Sequence, residues 1–401
     1  MNEVYVIGVG MTPFAKHWNR SLRSLATEAT TGALDDAGVS ASEVAYTFFS
    51  NAVGGVVTGQ ETIRGQVALR DSGLLGSSIF NVENACASGS SAAHLAWMTV
   101  ASGQSEYALA VGAEKLTHTD KSVSFRAFAS GVDLDEVAGE DYNQDRLAIA
   151  VGDGSHSRFM DIYAENARVF MQRTGITQED LARVVVKSRE FGALNERAQF
   201  RERLTIEEVL GAREISYPLT LPMCSPIGDG AAALVFGTKA AAIAAGGPLV
   251  RVRATSITSG TPMGGSSLAP TVARIYEAAS ISGADLDVIE VHDAAAPAEI
   301  EFYESLQLAE AADLGRFVAS GAASLGGTQY VNSSGGLLAK GHPVGASGCA
   351  QIVELTEQLK GRAGARQHPR ARLGLAVNAG GSIGDDSAAI GVTVLEGVKN
   401  D

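Results

Sequence analysis

Apolar residues in this chain fall into short, nearly continuous runs that end in glycine-rich turns. Runs of this kind are typical of strands that are buried on both faces of a sheet. Three runs recur later in the chain: 4–10 and 249–257, 106–112 and 373–378, 228–236 and 384–394. The repeat predicts two α/β units stacked as five layers, α-β-α-β-α, with pseudo-twofold symmetry. Chance similarity between apolar strands is the alternative.

The segment around Cys86 predicts a helix that begins close to a cysteine. Small residues flank Cys86, and the apolar run 93–100 follows them. A helix N-terminus has unpaired N–H groups and a partial positive charge, which favour a thiolate over a thiol. Small neighbours also allow another backbone or a slender substrate to approach the sulfur. Cys86 is therefore a candidate nucleophile, and a buried structural cysteine at a tight packing contact is the alternative.

A second segment, 332–348, places several glycines around His342 and then continues into an apolar helical pattern. The start of that helix, 345–350, echoes the segment 86–91. Pro343 fixes the backbone directly after the histidine. A rigid turn of this kind suits a base that is held in one geometry. A cysteine and such a histidine are sufficient for acyl transfer through a thioester. A glycine-rich turn with an exposed histidine is the alternative.

Composition and charge exclude several other classes of protein. The chain has 401 residues, of which 45% are hydrophobic and 19% charged, as in ordinary globular proteins. Its formal net charge of −14 argues against nonspecific binding to nucleic acid or to an anionic membrane. The sequence contains no run of 18 apolar residues, so it predicts no membrane span. An anionic substrate needs only a local basic patch, so the charge does not exclude one.

Three cysteines, Cys86, Cys224 and Cys349, predict no disulfide framework and fit a reducing compartment. The N-terminus has no basic start or long apolar region, and the C-terminus is not a peroxisomal address. We therefore expect a cytoplasmic protein. We also expect no bound metal, because no ligand spacing is seen among the remaining histidines, which are His17, His94, His118, His156 and His368.

Four motifs, taken together and in this order, resemble the thiolase superfamily. They surround Cys86, His292 within 291–295, His342 within 341–343, and Gly380 within 378–381. The His292-Asp293 pair is similar to the sterol-carrier-protein-X-type branch, where other thiolases have Asn-Glu. The resemblance extends over essentially the whole chain. It implies the thiolase fold, an α/β architecture of five layers, α-β-α-β-α, formed by two pseudo-twofold-related halves and a loop domain.

The resemblance also implies a division of the chain into domains. The N-terminal half comprises residues 1–116 and 224–245 and holds the nucleophile. The loop domain, 117–223, helps to bind coenzyme A. The C-terminal half comprises residues 246–401 and holds His292, His342 and Gly380.

The matching motifs imply roles for individual residues. Cys86 takes the acyl group, and His342 receives its proton. The backbone N–H groups of Cys86 and Gly380 form an oxyanion hole. His292 polarises the oxygen of the second thioester, while Asp293, after it, orients the loop. Ser225 aligns with a serine that contacts the pantetheine arm.

Basic residues are concentrated in one part of the implied loop domain. Such residues are suited to the phosphates of coenzyme A as charge-assisted donors. A solvated helix face is the alternative for each of them. The cluster consists of Lys187, Arg189, Arg197, Arg201 and Arg203.

The sequence departs from the family pattern at three positions. Asn378 stands where many thiolases have a second cysteine that acts as acid and base, and Ala294 stands where the branch has a cysteine. Ala295 replaces a phenylalanine, which predicts a wider acyl pocket and a bulky, branched or aromatic acyl group. Cys224 and Cys349 match neither missing cysteine, so we expect both in the core.

The resemblance finally implies the reaction and the partners. The chain is expected to split or form a β-ketoacyl-CoA, with coenzyme A as a substrate and no permanently bound cofactor. A retro-aldol C–C lyase acting on a CoA ester and a non-catalytic acyl-CoA-binding scaffold are the alternatives. A homodimer or homotetramer is expected, with the strand at 108–112 as a candidate contact. A zinc-ribbon/OB-fold accessory subunit would be a separate chain.

Overall fold

The structure is a computed structural model that describes residues 2–151, 156–261 and 265–398. Ten strands form one sheet, and a separate two-stranded hairpin is formed by β5 and β6. The strands are β1 (Val4–Met11), β2 (Tyr46–Ser50), β3 (Ser78–Val82), β4 (Tyr107–Glu114), β5 (Glu214–Ser216), β6 (Leu219–Thr220), β7 (Gly230–Thr238), β8 (Leu249–Ser259), β9 (Val288–Glu290), β10 (Tyr330–Val331), β11 (Leu373–Gly380) and β12 (Ala389–Val398).

Helices connect these strands and cover both faces of the sheet. The helices are α1 (Leu22–Ala37), α2 (Gly54–Thr58), α3 (Arg64–Ala68), α4 (Ser88–Ala101), α5 (Lys121–Ala129), α6 (Leu134–Ala138), α7 (Arg146–Val151), α8 (Arg158–Thr174), α9 (Gln178–Ala193), α10 (Ile206–Leu210), α11 (Lys239–Ala245), α12 (Leu268–Ala279), α13 (Ala296–Ser305), α14 (Leu314–Ser320), α15 (Gly336–Ala339) and α16 (Val344–Leu359).

The order of the strands is symmetric about the centre of the sheet. It runs β10-β9-β11-β12-β8-β1-β7-β4-β2-β3, so each strand of the first half has a counterpart at the mirrored place in the second. The halves meet where β1 pairs with β8 at Tyr5 and Arg251. The counterparts include β1 with β8, β4 with β11 and β7 with β12, which are the three repeats in the sequence. The predicted duplication is therefore confirmed.

Three hydrophobic cores separate the layers. One core contains α1 and the outer face of the first half, and another contains α12, α13 and the outer face of the second half. The third lies between the halves and contains α4 and α16. Strands β4 and β7 are buried along nearly their whole length because helices cover both of their faces. Each half of the sheet thus forms one layer, with α4 and α16 between the two halves and other helices on the outer faces. This arrangement is the predicted five-layer stack, α-β-α-β-α.

Helices α4 and α16 cross at their N-terminal ends, where both have glycine. A Cβ atom on Gly89 would lie 2.8 Å from the backbone nitrogen of Cys349, and one on Gly348 would lie 2.4 Å from that of Ser90. Contacts this short exclude a side chain at either position. The small residues after Cys86 therefore allow close packing of two helices.

The strand expected to contact a second copy of the chain lies inside the sheet. Residues 108–112 belong to β4, which is hydrogen-bonded to β7 on one side and to β2 on the other. That expectation is wrong, because an interior strand has no free backbone groups to pair with another chain. The edge strand of the first half is β3, in which Phe80 is 48% exposed.

Between β4 and β7 the chain leaves the sheet and forms α5–α10 and the β5–β6 hairpin. The loop domain that the resemblance implies covers nearly the same part of the chain, and its role as a separate domain stays a prediction. No helix within the described residues is both long enough and apolar enough to span a membrane. Residues 399–401, which bear on the expected absence of a peroxisomal address, lie outside the described residues.

Candidate active site

Cys86 lies in a tight turn between β3 and α4, two residues before the first residue of the helix. The turn is closed by the Ser88 hydroxyl, which donates to the Ala85 carbonyl at 2.6 Å and accepts from the Asn84 N–H at 2.9 Å. Ala85 has a φ of 46°, in the left-handed region that non-glycine residues rarely occupy. This conformation presents the half-buried Cys86 side chain at the start of the helix.

His342 occupies the equivalent place in the other half, two residues before α16. Its Nδ1 atom lies 2.7 Å from the Ser347 hydroxyl. That hydroxyl has one hydrogen, which it donates to the Pro343 carbonyl at 3.0 Å. In this arrangement Ser347 accepts from an Nδ1–H group of His342, which assigns the ring lone pair to Nε2. This is the tautomer that a base requires.

His292 follows β9 and lies against His342. The two rings are steeply inclined to each other, at 69°, with centroids 5.2 Å apart. Asp293, the next residue, accepts a hydrogen bond from the Leu337 N–H at 2.7 Å and so holds the two histidine loops together. This is the orienting role that the resemblance implied for Asp293. The Nε2 atom of His292 is buried and has no hydrogen-bond partner among the described residues.

The fold brings these three side chains to one point. One ligand-type atom from each of Cys86, His292 and His342 lies within 4.8 Å of the others. The cysteine comes from the first half of the chain and both histidines come from the second. The site therefore exists only where the two halves meet.

Burial dominates the electrostatics of the site. It raises the pKa of the Cys86 thiol to about 12, while the Gly381 N–H group opposes this by donating to the sulfur. Burial lowers the pKa of His292 to about 4, and it lowers the pKa of His342 well below its usual value. The sequence predicts a thiolate stabilised by the helix N-terminus. Burial opposes that thiolate, so the thiolate stays a prediction.

Gly380, predicted to contribute to an oxyanion hole, packs directly against the nucleophile turn. A Cβ atom there would lie 2.8 Å from the Cys86 nitrogen and 2.4 Å from the Asn84 carbonyl oxygen. The end of β11 thus packs so closely against the Cys86 backbone that only glycine fits at position 380. This contact brings backbone from both halves of the chain to the sulfur.

Glu114 is a functional candidate that the sequence analysis missed. Its carboxylate is completely buried and accepts from the Asn51 side chain at 2.8 Å and from the backbone N–H groups of Ala52 and Gly345 at 3.0 Å. Burial raises its pKa. Glu114 thereby fixes the first turn of α16, next to His342, to the first half. In the sequence, this role is indicated only by the position of an acidic residue, Glu114, shortly after the apolar run 106–112.

A second set of buried charges lies beneath the histidine loops. Glu290 accepts from the Ser334 N–H at 2.9 Å and lies 3.5 Å from the Lys340 ammonium. Asn332 donates to Glu299 at 2.7 Å and accepts from the Val291 N–H at 2.8 Å. These bonds connect the backbone on either side of His292 with the segment that leads to His342, which makes both loops rigid.

Lys187 belongs to this buried network and not to a phosphate-binding surface. The residue is 6% exposed, and its ammonium pairs with the carboxylate of Glu299 and donates to the Val331 carbonyl at 2.7 Å. The prediction that Lys187 binds coenzyme A is therefore corrected. Arg189 is also buried and stacks on the Phe200 ring at 4.1 Å. Burial lowers its pKa.

The remaining predicted contacts with coenzyme A are closer to solvent. Arg197 is half-buried, and Arg201 and Arg203 are exposed. The segment that bears them runs along the His342 loop, because the Gln199 N–H donates to the Lys340 carbonyl at 3.1 Å. Ser225 is half-buried, and its N–H donates to the Ala294 carbonyl at 3.0 Å. These residues thus adjoin the loops of both histidines.

The positions that depart from the family pattern are all inside the protein. Asn378 is buried and donates to Gln351 at 3.1 Å. Ala295 has no exposed surface and pairs with Cys224 across a short β-bridge. Cys349 is completely buried and Cys224 half-buried, packed against the core of the second half.

Comparison with known proteins identifies relatives along the whole chain. The profile for the N-terminal domain of thiolase matches residues 4–211, and that for a thiolase C-terminal domain-like family matches residues 251–392. The acetyl-CoA acetyltransferase of Methanothermobacter thermautotrophicus is 35% identical, covering 96% of this chain and 98% of that protein. Sterol carrier protein 2 of Bos taurus is 32% identical, covering 94% of this chain and 70% of that protein.

A third relative is named for a different substrate. The benzoylsuccinyl-CoA thiolase subunit BbsB of Thauera aromatica is 34% identical, with 89% of each chain covered. Two solved structures have the same fold. An Ltp2–ChsH2(DUF35) aldolase has a TM-score of 0.78 at 21% identity, covering 98% of each chain. Human mitochondrial 3-ketoacyl-CoA thiolase has a TM-score of 0.70 at 17% identity, covering 99% of each chain.

Proposed function

Since this chain belongs to the thiolase family, we propose that it splits or forms a β-ketoacyl-CoA through a thioester on Cys86. The observation that carries the proposal is the convergence of the Cys86 sulfur with nitrogens of His292 and His342 within 4.8 Å. A thiol, a base with a fixed tautomer and a second imidazole provide a nucleophile and two groups for proton transfer or charge stabilisation.

In the cleavage direction, the Cys86 sulfur attacks the β-keto carbonyl and its proton passes to Nε2 of His342. The carbon–carbon bond then breaks, leaving an acyl-Cys86 thioester and the enolate of a shortened acyl-CoA. The Nε2 atom of His292 lies free to hydrogen-bond the enolate oxygen. The proton held on His342 passes to the enolate carbon, which releases the CoA ester formed by the cleavage. The thiol of coenzyme A then gives its proton to His342 and attacks the acyl-Cys86 thioester, and the proton returns to the Cys86 sulfur as it leaves.

The electrostatics favour a proton transfer that is coupled to the attack. A thiol with a raised pKa and an imidazole with a lowered pKa do not form an ion pair in advance. The proton leaves the sulfur as the new carbon–sulfur bond removes negative charge from it. We propose that the backbone N–H groups of Cys86 and Gly380 stabilise the negative oxygen that this step creates.

Mass spectrometry after incubation with an acyl-CoA tests this proposal. We expect the protein mass to rise by one acyl group and the adduct to map to Cys86. The Cys86→Ala variant should form no adduct, whereas Cys349→Ala, which removes a buried cysteine on α16, should retain it. An unmodified native protein under conditions of turnover would contradict covalent catalysis.

A retro-aldol reaction is the second candidate, favoured by the similarity of the fold to an aldolase at a TM-score of 0.78. A lyase of this type cleaves a carbon–carbon bond without an acyl-enzyme, so it has no use for a cysteine nucleophile. Cys86 and its oriented partner His342 favour the thiolase reaction. Turnover without an adduct in native protein, and unimpaired turnover in Cys86→Ala, would support the lyase. Binding of acyl-CoA without any turnover would indicate a scaffold.

We propose a bulky, branched or aromatic acyl group as the substrate. The name of the benzoylsuccinyl-CoA thiolase relative supports an aromatic acyl group, whereas the acetyl-CoA acetyltransferase relative has a small one. Because Ala295 is completely buried, its small side chain is by itself weaker support for a wide acyl pocket. A screen of short, long, branched and aromatic β-ketoacyl-CoAs, compared by kcat/KM, tests the proposal. A preference for acetoacetyl-CoA would overturn it.

We further propose a homo-oligomer built on a dimer that uses the edge of β3. Strand β3 has exposed side chains, including Phe80, and one unpaired edge. A zinc-ribbon/OB-fold subunit is a second proposed partner, supported by the DUF35 component for which the similar aldolase is named. Light scattering on the purified chain tests the oligomer. Full activity of the chain alone would argue against a required subunit.

We propose the cytoplasm as the compartment. All three cysteines are free thiols, and free thiols persist where the surroundings are reducing. Fractionation of cells that express the protein, followed by immunodetection, tests this directly. Recovery of the protein in an oxidising compartment would contradict the proposal.

A further inference from the structure

We propose that Cys86, His292 and His342 form a binding site for Zn²⁺, in which the metal and the acyl group compete for the same sulfur. The ligand atoms lie within 4.8 Å of one another. One thiolate, two imidazoles and an open fourth position for water are a ligand set that Zn²⁺ favours. Metal binding follows from these three side chains alone. Inhibition of turnover, its consequence, rests on the proposed thiolase function.

The geometry requires little rearrangement. Zinc binds imidazole nitrogen at about 2.0–2.1 Å and thiolate sulfur at about 2.3 Å, so tetrahedral ligands are roughly 3.3–3.6 Å apart. The site meets this if the side chains move inward by roughly 1 Å, through small changes in side-chain torsions. The half-buried Cys86 leaves a route for the ion to enter.

The surroundings of the histidines match those of metal ligands. A zinc-bound imidazole donates its other N–H to a second group, which fixes the ring and its tautomer. His342 meets this condition through Ser347, at 2.7 Å from Nδ1, so that Nε2 is free to coordinate.

The second, independent observation is the Nε2 atom of His292. The residue is 4% exposed, and this nitrogen has no hydrogen-bond partner among the described residues. Buried polar atoms are nearly always paired, so an unpaired nitrogen beside a thiol and a second imidazole indicates a missing ligand. A metal ion meets that need when the His292 proton is on Nδ1, whereas the enolate oxygen of the proposed reaction meets it when the proton is on Nε2. The metal also joins the three residues to one another.

Binding is a simple exchange of one proton for the metal. Zinc displaces the thiol proton of Cys86, a zinc–sulfur bond replaces the sulfur–hydrogen bond, and the proton leaves to solvent. No oxidant or reductant is needed. The bound zinc ion occupies the space beside the sulfur and takes the lone pair of His342 Nε2, so neither a free thiol nor a base is left for the acyl-CoA, and the metal and acyl-CoA exclude each other.

Optical titration with Co²⁺, a spectroscopic substitute for Zn²⁺, tests the site independently of activity. Protein treated with a chelator and then titrated with Co²⁺ should develop a sulfur-to-cobalt charge-transfer band and the visible bands of a tetrahedral ion, at one equivalent. Zn²⁺ should then abolish these bands. Cys86→Ala should lose the charge-transfer band, and His292→Ala should weaken Co²⁺ binding at least tenfold. Cys224→Ala, which leaves the three ligands in place, is the matched control.

The possible outcomes distinguish failure of the metal site from failure of the proposed thiolase function. Absence of the charge-transfer band in native protein, or its persistence in Cys86→Ala, would overturn the proposal, provided that circular dichroism shows folded protein. Prior acylation of Cys86 should also prevent the band. Zinc that binds at one equivalent to a protein without thiolase activity would support the metal site and contradict the proposed function. Inhibition of turnover should follow the same Zn²⁺ concentration dependence as the displacement of Co²⁺.

Discussion

A Cβ atom on Gly380 would lie 2.8 Å from the backbone nitrogen of Cys86. Any side chain at Gly380 must therefore push β11 and the nucleophile turn apart. We expect Gly380→Ala to lower kcat at least about 100-fold by displacing the Cys86 N–H group, and to destabilise the fold by about 1–3 kcal/mol. Steady-state kinetics and thermal melting measure the two effects.

Gly374→Ala is the matched control, since it adds the same methyl group to the same strand. Its nearest neighbour would be a leucine side-chain atom at 3.2 Å, which can move. We expect nearly native kcat in this variant. An equal loss of kcat in both variants would show that strand β11, and not the contact with Cys86, is responsible.

The Ser347 hydroxyl lies 2.7 Å from Nδ1 of His342, and we expect it to hold the imidazole proton on that nitrogen. In Ser347→Ala, the imidazole is free to take the other tautomer, so we expect kcat to fall about tenfold or more with little change in KM. Thr356→Val on the same helix removes a similar hydroxyl bond to the carbonyl four residues earlier and is the control. Equal kcat in both variants would exclude a role for the Ser347 bond in catalysis.

The raised pKa of Cys86, about 12, predicts how the thiol reacts in the free enzyme. Only the thiolate reacts with iodoacetamide, and its fraction grows tenfold per pH unit below the pKa. We expect the alkylation rate of chelator-treated protein to rise continuously from pH 6 to pH 10, by roughly tenfold per pH unit. A plateau near pH 7 would instead show a thiolate stabilised by the helix N-terminus. Mass mapping should assign the label to Cys86.

Lys187 and Arg201 should respond differently to the same replacement. Lys187→Met leaves the Glu299 carboxylate buried without its cation, which we expect to destabilise the protein by about 3–5 kcal/mol. Arg201→Met removes an exposed charge, so we expect a higher KM for coenzyme A and an unchanged melting temperature. A raised KM in Lys187→Met without loss of stability would restore Lys187 as a ligand of coenzyme A.

Ala295 is completely buried, so we expect Ala295→Phe to overpack the core. Such changes destabilise by about 1–3 kcal/mol, and kcat/KM should then fall equally for small and bulky β-ketoacyl-CoAs. A loss confined to the bulky substrates, with native stability, would instead show that this position borders the acyl pocket. Thermal melting and a substrate series distinguish the two results.

The duplicated sheet can be predicted because its strands carry a strong local pattern. Continuous apolar runs ending in glycine turns mark β1, β4, β7 and their later counterparts. The positions of Cys86 and His342 before their helices are equally visible, since small residues surround Cys86 and glycines together with Pro343 surround His342. The pattern does not contain the order of the strands, which is why the sequence does not reveal that β4 lies inside the sheet.

The electrostatics of the site depend on burial, which local sequence does not reveal. The helix N-terminus near Cys86 is visible in sequence, but the desolvation that opposes the thiolate depends on how the folded chain packs around the sulfur. Lys187 resembles the nearby arginines in charge, whereas its helix turns it towards Glu299, 112 residues away. Glu114 is hard to find from sequence because its partners come from separate segments of the chain.

The two-residue spacing before α4 and before α16 has an implication for how the reaction arose. Under the pseudo-twofold operation, the thiol of one half and the imidazole of the other are equivalent positions in a duplicated unit. Two identical ancestral units would have placed the same side chain opposite itself, either two thiols or two imidazoles, and neither pair combines a nucleophile with a base. The difference between the side chains at these two equivalent positions is therefore what gives a symmetric scaffold an asymmetric site, with the nucleophile on one half and the base on the other.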